Sequence, residues 1–390
     1  MPPSATAHSG KSFPLLQLRR ITTSNSYIPE IDGLRFVAIL AVVLFHVPIQ
    51  IALRSAGQVA SNPYWHIISH RDRGVQLFFV IGRLILGMPF GAHLLNGNPP
   101  VRLRSYFLRR VTRLEPPYVL SILLCFPLLV FVVHRPLREI VEHSLATLVY
   151  AHSLIFGQMS TVNPPAWSLE VEIQFYLLAP LLAFLYFSIR PASLRRSSGL
   201  AFILLVGLLQ QAYLSHSINQ WTLSILNYIQ YFFAGFLLGD LYLTDWKKIP
   251  RHWTWDILSL ASWTWIFVSD AASLHLLLPI ITLRAYLAAF KGPIFHAFFR
   301  HTWISIAGGM CYSIYLTHNL AISAVDLLLR RLSWLAHRPP WQHAVLAYVL
   351  VVPAVAFLSL LLYILVERPC MDKSWPEKLL HRLRPASHAG

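Results

Sequence analysis

The chain has 390 residues, 56% of them hydrophobic and only 12% charged, with a mean hydropathy of +0.54. Several apolar runs reach about 20 residues, the length that crosses a bilayer core, so an ordinary soluble domain is excluded and an all-α, polytopic membrane protein is expected. The 32 Lys and Arg outnumber the 16 Asp and Glu, but the basic residues cluster between the apolar runs, which excludes a nucleic-acid partner and matches cytoplasmic loops.

Residues 1–27 are polar and lack an apolar core followed by a cleavage site, so they read as a short, disordered cytoplasmic tail and not as a signal peptide. Spans are expected over 34–53, 75–92, 114–133, 171–189, 199–215, 224–243, 253–269, 272–290, 304–329 and 344–366. The apolar patch 145–157 is shorter and carries His152. If it does not cross, Arg19 and Arg20, Arg102 to Arg113, Arg190 to Arg196, Lys247 to Arg251, Lys291 to Arg300 and Arg368 to Arg384 all fall on one side, as the positive-inside rule requires. The charge pattern therefore predicts a bundle of about ten transmembrane helices with both termini cytoplasmic and 134–170 outside. Arg330, Arg331 and Arg338 then lie outside, against the trend. Residues 28–372 form the membrane domain, and 373–390 a basic cytoplasmic tail. Cys125, Cys311 and Cys370 are isolated, with no CxxC and no metal-ligand spacing, so neither a disulfide framework nor a metal site is expected.

Arg35 and His46 share the first span with ten residues between them. Eleven helical steps return a side chain to within about 20° of its start and raise it roughly 16 Å, so both project from one face. Ionisable groups inside a span are costly, and one at its mouth aligned with one at depth points to contact with a long polar ligand. The segment Asn163-Pro-Pro-Ala-Trp167-Ser168-Leu169-Glu170-Val171-Glu172 enters the fourth span from outside, bringing Glu172 to a level His46 could share. A carboxylate beside an imidazole fixes its tautomer and supports its protonated form, as a general base requires. Before the third span, Arg109 and Arg113 stand at i, i+4 and Arg110 and Arg113 at i, i+3, a fork of guanidiniums suited to phosphate. The plainer reading of each is an anchor on anionic lipid. In the ninth span Tyr312, Ser313, Tyr315 and His318 recur at helical spacing, a pattern equally compatible with interhelical hydrogen bonds.

Together these residues resemble the acyltransferase-3 family of integral-membrane O-acyltransferases. The resemblance is carried by Glu30-Ile31-Asp32-Gly33-Leu34-Arg35 with His46, by Gly74-Val75-Gln76-Leu77-Phe78-Phe79-Val80-Ile81, and by Tyr106-Phe107-Leu108-Arg109-Arg110-Val111-Thr112-Arg113. It continues through Trp167-Ser168-Leu169-Glu170-Val171-Glu172-Ile173-Gln174-Phe175-Tyr176, Tyr312-Ser313-Ile314-Tyr315-Leu316-Thr317-His318 and Glu367-Arg368-Pro369. These blocks keep the family's order over about 28–372.

The resemblance implies a ten-helix bundle moving an acyl group, usually acetyl, from cytoplasmic acyl-CoA to a hydroxyl of a glycan or glycolipid in a bacterial inner membrane. It implies catalytic roles for Arg35, His46 and Glu172, and donor binding by Arg35, Arg109, Arg110 and Arg113. Trp167, Tyr315 and His318 become candidates for acceptor binding. Membrane lipids, acyl-CoA and the acceptor are then the partners, with no metal. One departure stands out: where the family has Ser-Gly-Phe, this chain has Gly82-Arg83-Leu84. Arg83 could pair with a carboxylate, bind a CoA phosphate or inactivate the protein. His46 could act as a base or carry the acyl group transiently. A transporter or flippase, using the Arg35 to His46 line as a path, is the rival from another class, although no discontinuous helix pair accompanies it.

Overall fold

A computed structural model describes residues 18–21, 27–52, 73–213, 218–269, 273–332, 339–372 and 374–378. Most of the two expected tails, and Arg338, lie outside them.

The first helix, α1 (Pro29–Ala52), opens with proline, whose missing N–H falls where no partner exists, and has Glu30 and Asp32 in its first turn, where the helix dipole favours acids. Helix α2 (Gly74–Asn96) stops at Gly97, whose φ of 70° is open to glycine without strain. Helix α3 (Leu103–Phe131) follows, then two short helices, α4 (Leu137–Leu148) and α5 (His152–Phe156). At 12 and 5 residues neither could cross a bilayer, so the patch 145–157 is not a span. The chain continues as α6 (Trp167–Phe187), α7 (Ala192–Tyr213), α8 (Ile229–Thr244), α9 (Thr254–Val268) and α10 (Ser273–Lys291). Then come α11 (Pro293–Arg300), α12 (Thr302–Gly309), α13 (Cys311–Leu329) and α14 (Pro340–Leu362), the last running into a π turn, Tyr363–Glu367.

The fold is thus all-α, and no strand occurs among the described residues. The described part of every expected span is mainly helical, though 224–228 precedes α8 and 304–329 is divided at Met310 between α12 and α13. Six helices are long and apolar enough to cross a membrane, or seven if the bent pair of α10 and α11 is one span. This is a polytopic membrane protein; length and apolarity alone do not reach the expected count of ten.

In lipid, helices associate by close packing and buried polar contacts more than by exclusion of water. Two glycines show how closely. A Cβ on Gly308 of α12 would lie 1.7 Å from the backbone oxygen of Asp32, so α12 rests directly on the first turn of α1. A Cβ on Gly235 of α8 would lie 2.6 Å from the Val80 carbonyl oxygen and 2.7 Å from Arg83 Cβ, so α8 is pressed against α2. Leu34, Phe175, Phe232 and Phe236 fill the interior, while Leu123 and Phe131 of α3 and Leu177 and Phe184 of α6 face outward as a lipid-facing surface requires. Helix α1 packs against α2, α12, α13 and α14, which sets Arg35 and His46 within the bundle.

Candidate active site

At the mouth of α1, Asp32 accepts a hydrogen bond from Arg35 at 2.6 Å, one turn away, and Arg20 approaches the same oxygen at 3.6 Å. Arg113, reaching in from α3, lies within electrostatic range of Asp32, Arg20 and Glu367. Glu367 is wholly buried on the π turn and accepts from the Ser313 backbone N–H at 3.0 Å and the Ser313 hydroxyl at 2.5 Å. Three guanidiniums and two carboxylates therefore gather here, with Arg35 and Arg20 on Asp32 and Arg113 within electrostatic range of both acids. Nε of Arg20, Nε of Arg113 and Oε1 of Glu367 are buried without hydrogen-bond partners. A buried donor left unpaired costs about 1 to 3 kcal/mol, so a net-positive nest with free donors favours an anion.

Deeper along α1, Nδ1 of His46 lies 2.8 Å from the Val42 carbonyl oxygen. A carbonyl can only accept, so Nδ1 carries the hydrogen and Nε2 of the neutral ring keeps its lone pair. The ring meets His318 of α13 edge-on, with centroids 5.0 Å apart. His318 is held the same way: its Nδ1 donates to the carbonyl of Tyr315 at 2.7 Å, and its buried Nε2 has no partner. Two imidazoles on different helices thus sit side by side, each with its second nitrogen free to accept a proton.

The segment leading into α6 is latched to α13 beside them. The Tyr315 hydroxyl donates to the Pro165 carbonyl, so the Ser168 hydroxyl, 2.7 Å from the Tyr315 oxygen, must donate to it. Trp167 is half-buried and packs on Tyr228 with ring centroids 5.3 Å apart.

Glu172 is not the partner of His46 in this structure. Its carboxylate receives the Tyr176 hydroxyl and faces Arg83 Nη1 at 3.4 Å. The reason lies in Arg83. That guanidinium is 1% exposed and lies over the rings of Phe175 at 4.2 Å and Phe232 at 4.3 Å. A charge so buried needs an anion nearby, and Glu172 supplies it. Of the readings left open for Arg83, pairing with a carboxylate is the one the geometry displays. The sequence allows Arg83 a carboxylate partner without naming it, and assigns Glu172, the partner observed, to His46.

The arginines before the third span do not converge as their spacing predicted. Arg109 is exposed and donates from Nε to the Ser105 carbonyl at 2.9 Å. Arg110 lies over the Tyr106 ring at 3.5 Å and donates to the Tyr106 carbonyl at 2.5 Å. Only Arg113 turns into the nest at the mouth of α1, because it sits a turn deeper, where α3 packs on α13. Arg20, Glu367 and Ser313 complete that nest, and short-range spacing could not have revealed them. Among the described residues, no three His, Cys, Asp or Glu side chains are placed to hold a metal ion.

A family model for the acyltransferase-3 type, described as an acyltransferase domain, matches residues 28–364, and the chain belongs to this family. The peptidoglycan O-acetyltransferase OatA of Listeria monocytogenes is 28% identical over 175 residues, 42% of this chain and 25% of the relative. O-acetyltransferase OatA of Staphylococcus aureus is 25% identical over 199 residues, 48% of this chain and 30% of the relative. The matches thus span less than a third of these relatives' length. No solved structure gives a significant match.

Proposed function

We propose that the chain is a membrane-embedded O-acetyltransferase that moves an acetyl group from cytoplasmic acetyl-CoA to a hydroxyl of a bacterial cell-envelope glycan or glycolipid. It works in the inner membrane with both termini cytoplasmic. The observation that carries this reading is the arrangement along α1, where an electropositive nest with free donors lies at the mouth and a pair of imidazoles with free lone pairs lies at depth. The names of the two relatives, O-acetyltransferases, one of peptidoglycan, support the acceptor class.

The phosphates of the donor stay with Arg35, Arg113 and Arg20, with Arg109 and Arg110 at the entrance, because paired N–H donors of guanidinium match phosphate oxygens. The acyl-bearing arm then reaches along α1 toward His46. Nε2 of His46 takes the proton of the acceptor hydroxyl as its oxygen attacks the thioester carbonyl. The new C–O ester bond forms, the C–S bond breaks, and the imidazolium returns the proton to the departing thiolate. His318 lies beside this path with Tyr315 and Trp167, on the side from which the acceptor enters. Glu172 holds Arg83 and Tyr176 in place along the seam of α2 and α6. The test is transfer of labelled acetyl groups by His46→Ala, which should lose transfer and keep acetyl-CoA binding; retained transfer would overturn the assignment.

A further inference from the structure

We propose a lipid site: a cavity where α1 begins holds the phosphate of an anionic glycerophospholipid. The cavity encloses about 220 Å³ between the start of α1, the end of α8 and α11. Its polar lining includes Glu30, Tyr242, Trp246, Arg251, His296 and Arg300. Glu30 faces His296 Nε2 at 2.8 Å and Arg300 Nε at 3.6 Å. Arg251 Nη2 approaches the same His296 Nε2 at 2.7 Å.

One ring nitrogen holds either a hydrogen or a lone pair, so it can satisfy Glu30 or Arg251 but not both. Donating to the buried carboxylate leaves the Arg251 guanidinium facing the cavity without that acceptor. Two guanidiniums then oppose one carboxylate, and one positive charge is unbalanced. Neighbouring groups do not change this. Lys291 donates to the carbonyls of Trp246 at 2.6 Å and Ile249 at 2.9 Å. Asp256 caps α11, accepting from the backbone of Ile294 at 3.2 Å and Phe295 at 2.9 Å.

The surroundings fit a lipid rather than a soluble phosphate. Helix α11 leaves α10 at 87°, so it runs across the bundle end as an interfacial helix does. It turns His296 inward and leaves Ile294 71% and Phe298 45% exposed, while Trp253 and Ile257 stand exposed at the start of α9. A cationic cavity bordered by outward apolar side chains matches the two parts of a phospholipid, headgroup phosphate and acyl chain. Tyr242 and Trp246 have the amphipathic rings that favour the headgroup level. A free phosphate would gain nothing from the apolar border.

The test is native mass spectrometry of the full chain, purified in detergent, stripped of lipid and titrated with phosphatidylglycerol or phosphatidylcholine. The expected result is one phosphatidylglycerol retained at concentrations where phosphatidylcholine is not. Arg251→Gln with Arg300→Gln should lower that occupancy about tenfold, the scale of one lost charge-assisted contact, while Arg138→Gln, an exposed cation on α4, leaves it unchanged. Arg300 is half exposed, so Arg300→Gln alone, with an expected loss of about threefold, decides the matter if the double variant does not fold. Unchanged retention in these variants would overturn the site. Displacement of phosphatidylglycerol by inorganic phosphate alone would assign the cavity to a soluble anion and overturn the lipid reading.

Discussion

Two clusters of buried charge differ in a way that separates scaffold from site. Between α7 and α8, Arg195 grips Asp240 with two donors, Nη2 at 2.8 Å and Nε at 3.1 Å, and gives Nη1 to the Ile189 carbonyl at 3.0 Å. Arg196 adds Nε to Asp240 at 3.1 Å and Nη2 to Thr244 at 2.7 Å and to Asp245, which Lys248 meets at 2.7 Å. Its guanidinium donors and carboxylate oxygens are matched within the protein. At the mouth of α1 the same residue types are gathered, yet Arg20, Arg113 and Glu367 each keep a buried polar atom unpaired. Burial of charge alone therefore does not mark a functional site. Unpaired donors gathered in one cationic cluster are the feature that favours an anion, because their cost is recovered when it arrives; a lone unpaired group does not suffice, since Arg83 also keeps Nε and Nη2 buried without partners beside Glu172.

The comparison breaks most visibly at the clamp. Arg195→Met should destabilise the fold by about 3 to 5 kcal/mol, because Asp240 is left buried without its main partner; thermal unfolding in detergent checks this, and a change within error would make the clamp dispensable. Arg113→Ala should behave in the opposite way, leaving thermal stability near that of the parent while weakening acetyl-CoA binding at least about tenfold. A short acetyl thioester lacking the nucleotide should be much less affected, and equal weakening of both would remove the phosphate role.

Glu172→Gln sharpens the distinction further. Since Glu172 faces Arg83 and Tyr176, and His46 is oriented by a backbone carbonyl, the variant should cost about 1 to 3 kcal/mol of stability through the unpaired Arg83. It should leave the midpoint of the pH–rate profile in place. A shifted midpoint would restore Glu172 as the partner of His46.

The smallest effect belongs to the outer end of the clamp. Hydrogen bonds from Lys248 and Arg196 hold the Asp245 carboxyl well below its usual range. A carboxylate whose folded value is depressed contributes stability that is complete above its unfolded value, near 4, and is lost only as pH falls below it. Thermal stability should therefore show no pH dependence from Asp245 between pH 8 and about 5, and Asp245→Asn should flatten only the acid limb.

Much of the architecture was legible because the bilayer imposes a length. Runs of apolar residues and the placement of basic loops located the long helices and singled out the patch 145–157, whose helices are too short to cross, but not the short helices α4 and α11. The break at Met310 was not legible, since 304–329 reads as one apolar run, and neither was the helix α11 at 87° to α10, since Lys291 to Arg300 reads as a basic loop; packing against α1 decides both. At the candidate site, Arg35 and His46 could be aligned from helix geometry within one segment. That Arg113 alone of its cluster turns inward, that His318 meets His46, and that Glu172 serves Arg83 depend on how separate helices rotate against one another. A single sequence carries no signal for that rotation.

The central claim is that the imidazole at depth on α1 performs the chemistry while the arginines at its mouth hold the donor. Membrane vesicles containing the full chain and envelope acceptors, given labelled acetyl-CoA, report both through label transferred to glycan and donor bound to protein. His46→Ala should abolish transfer and leave acetyl-CoA affinity unchanged; transfer close to that of the parent would contradict the account.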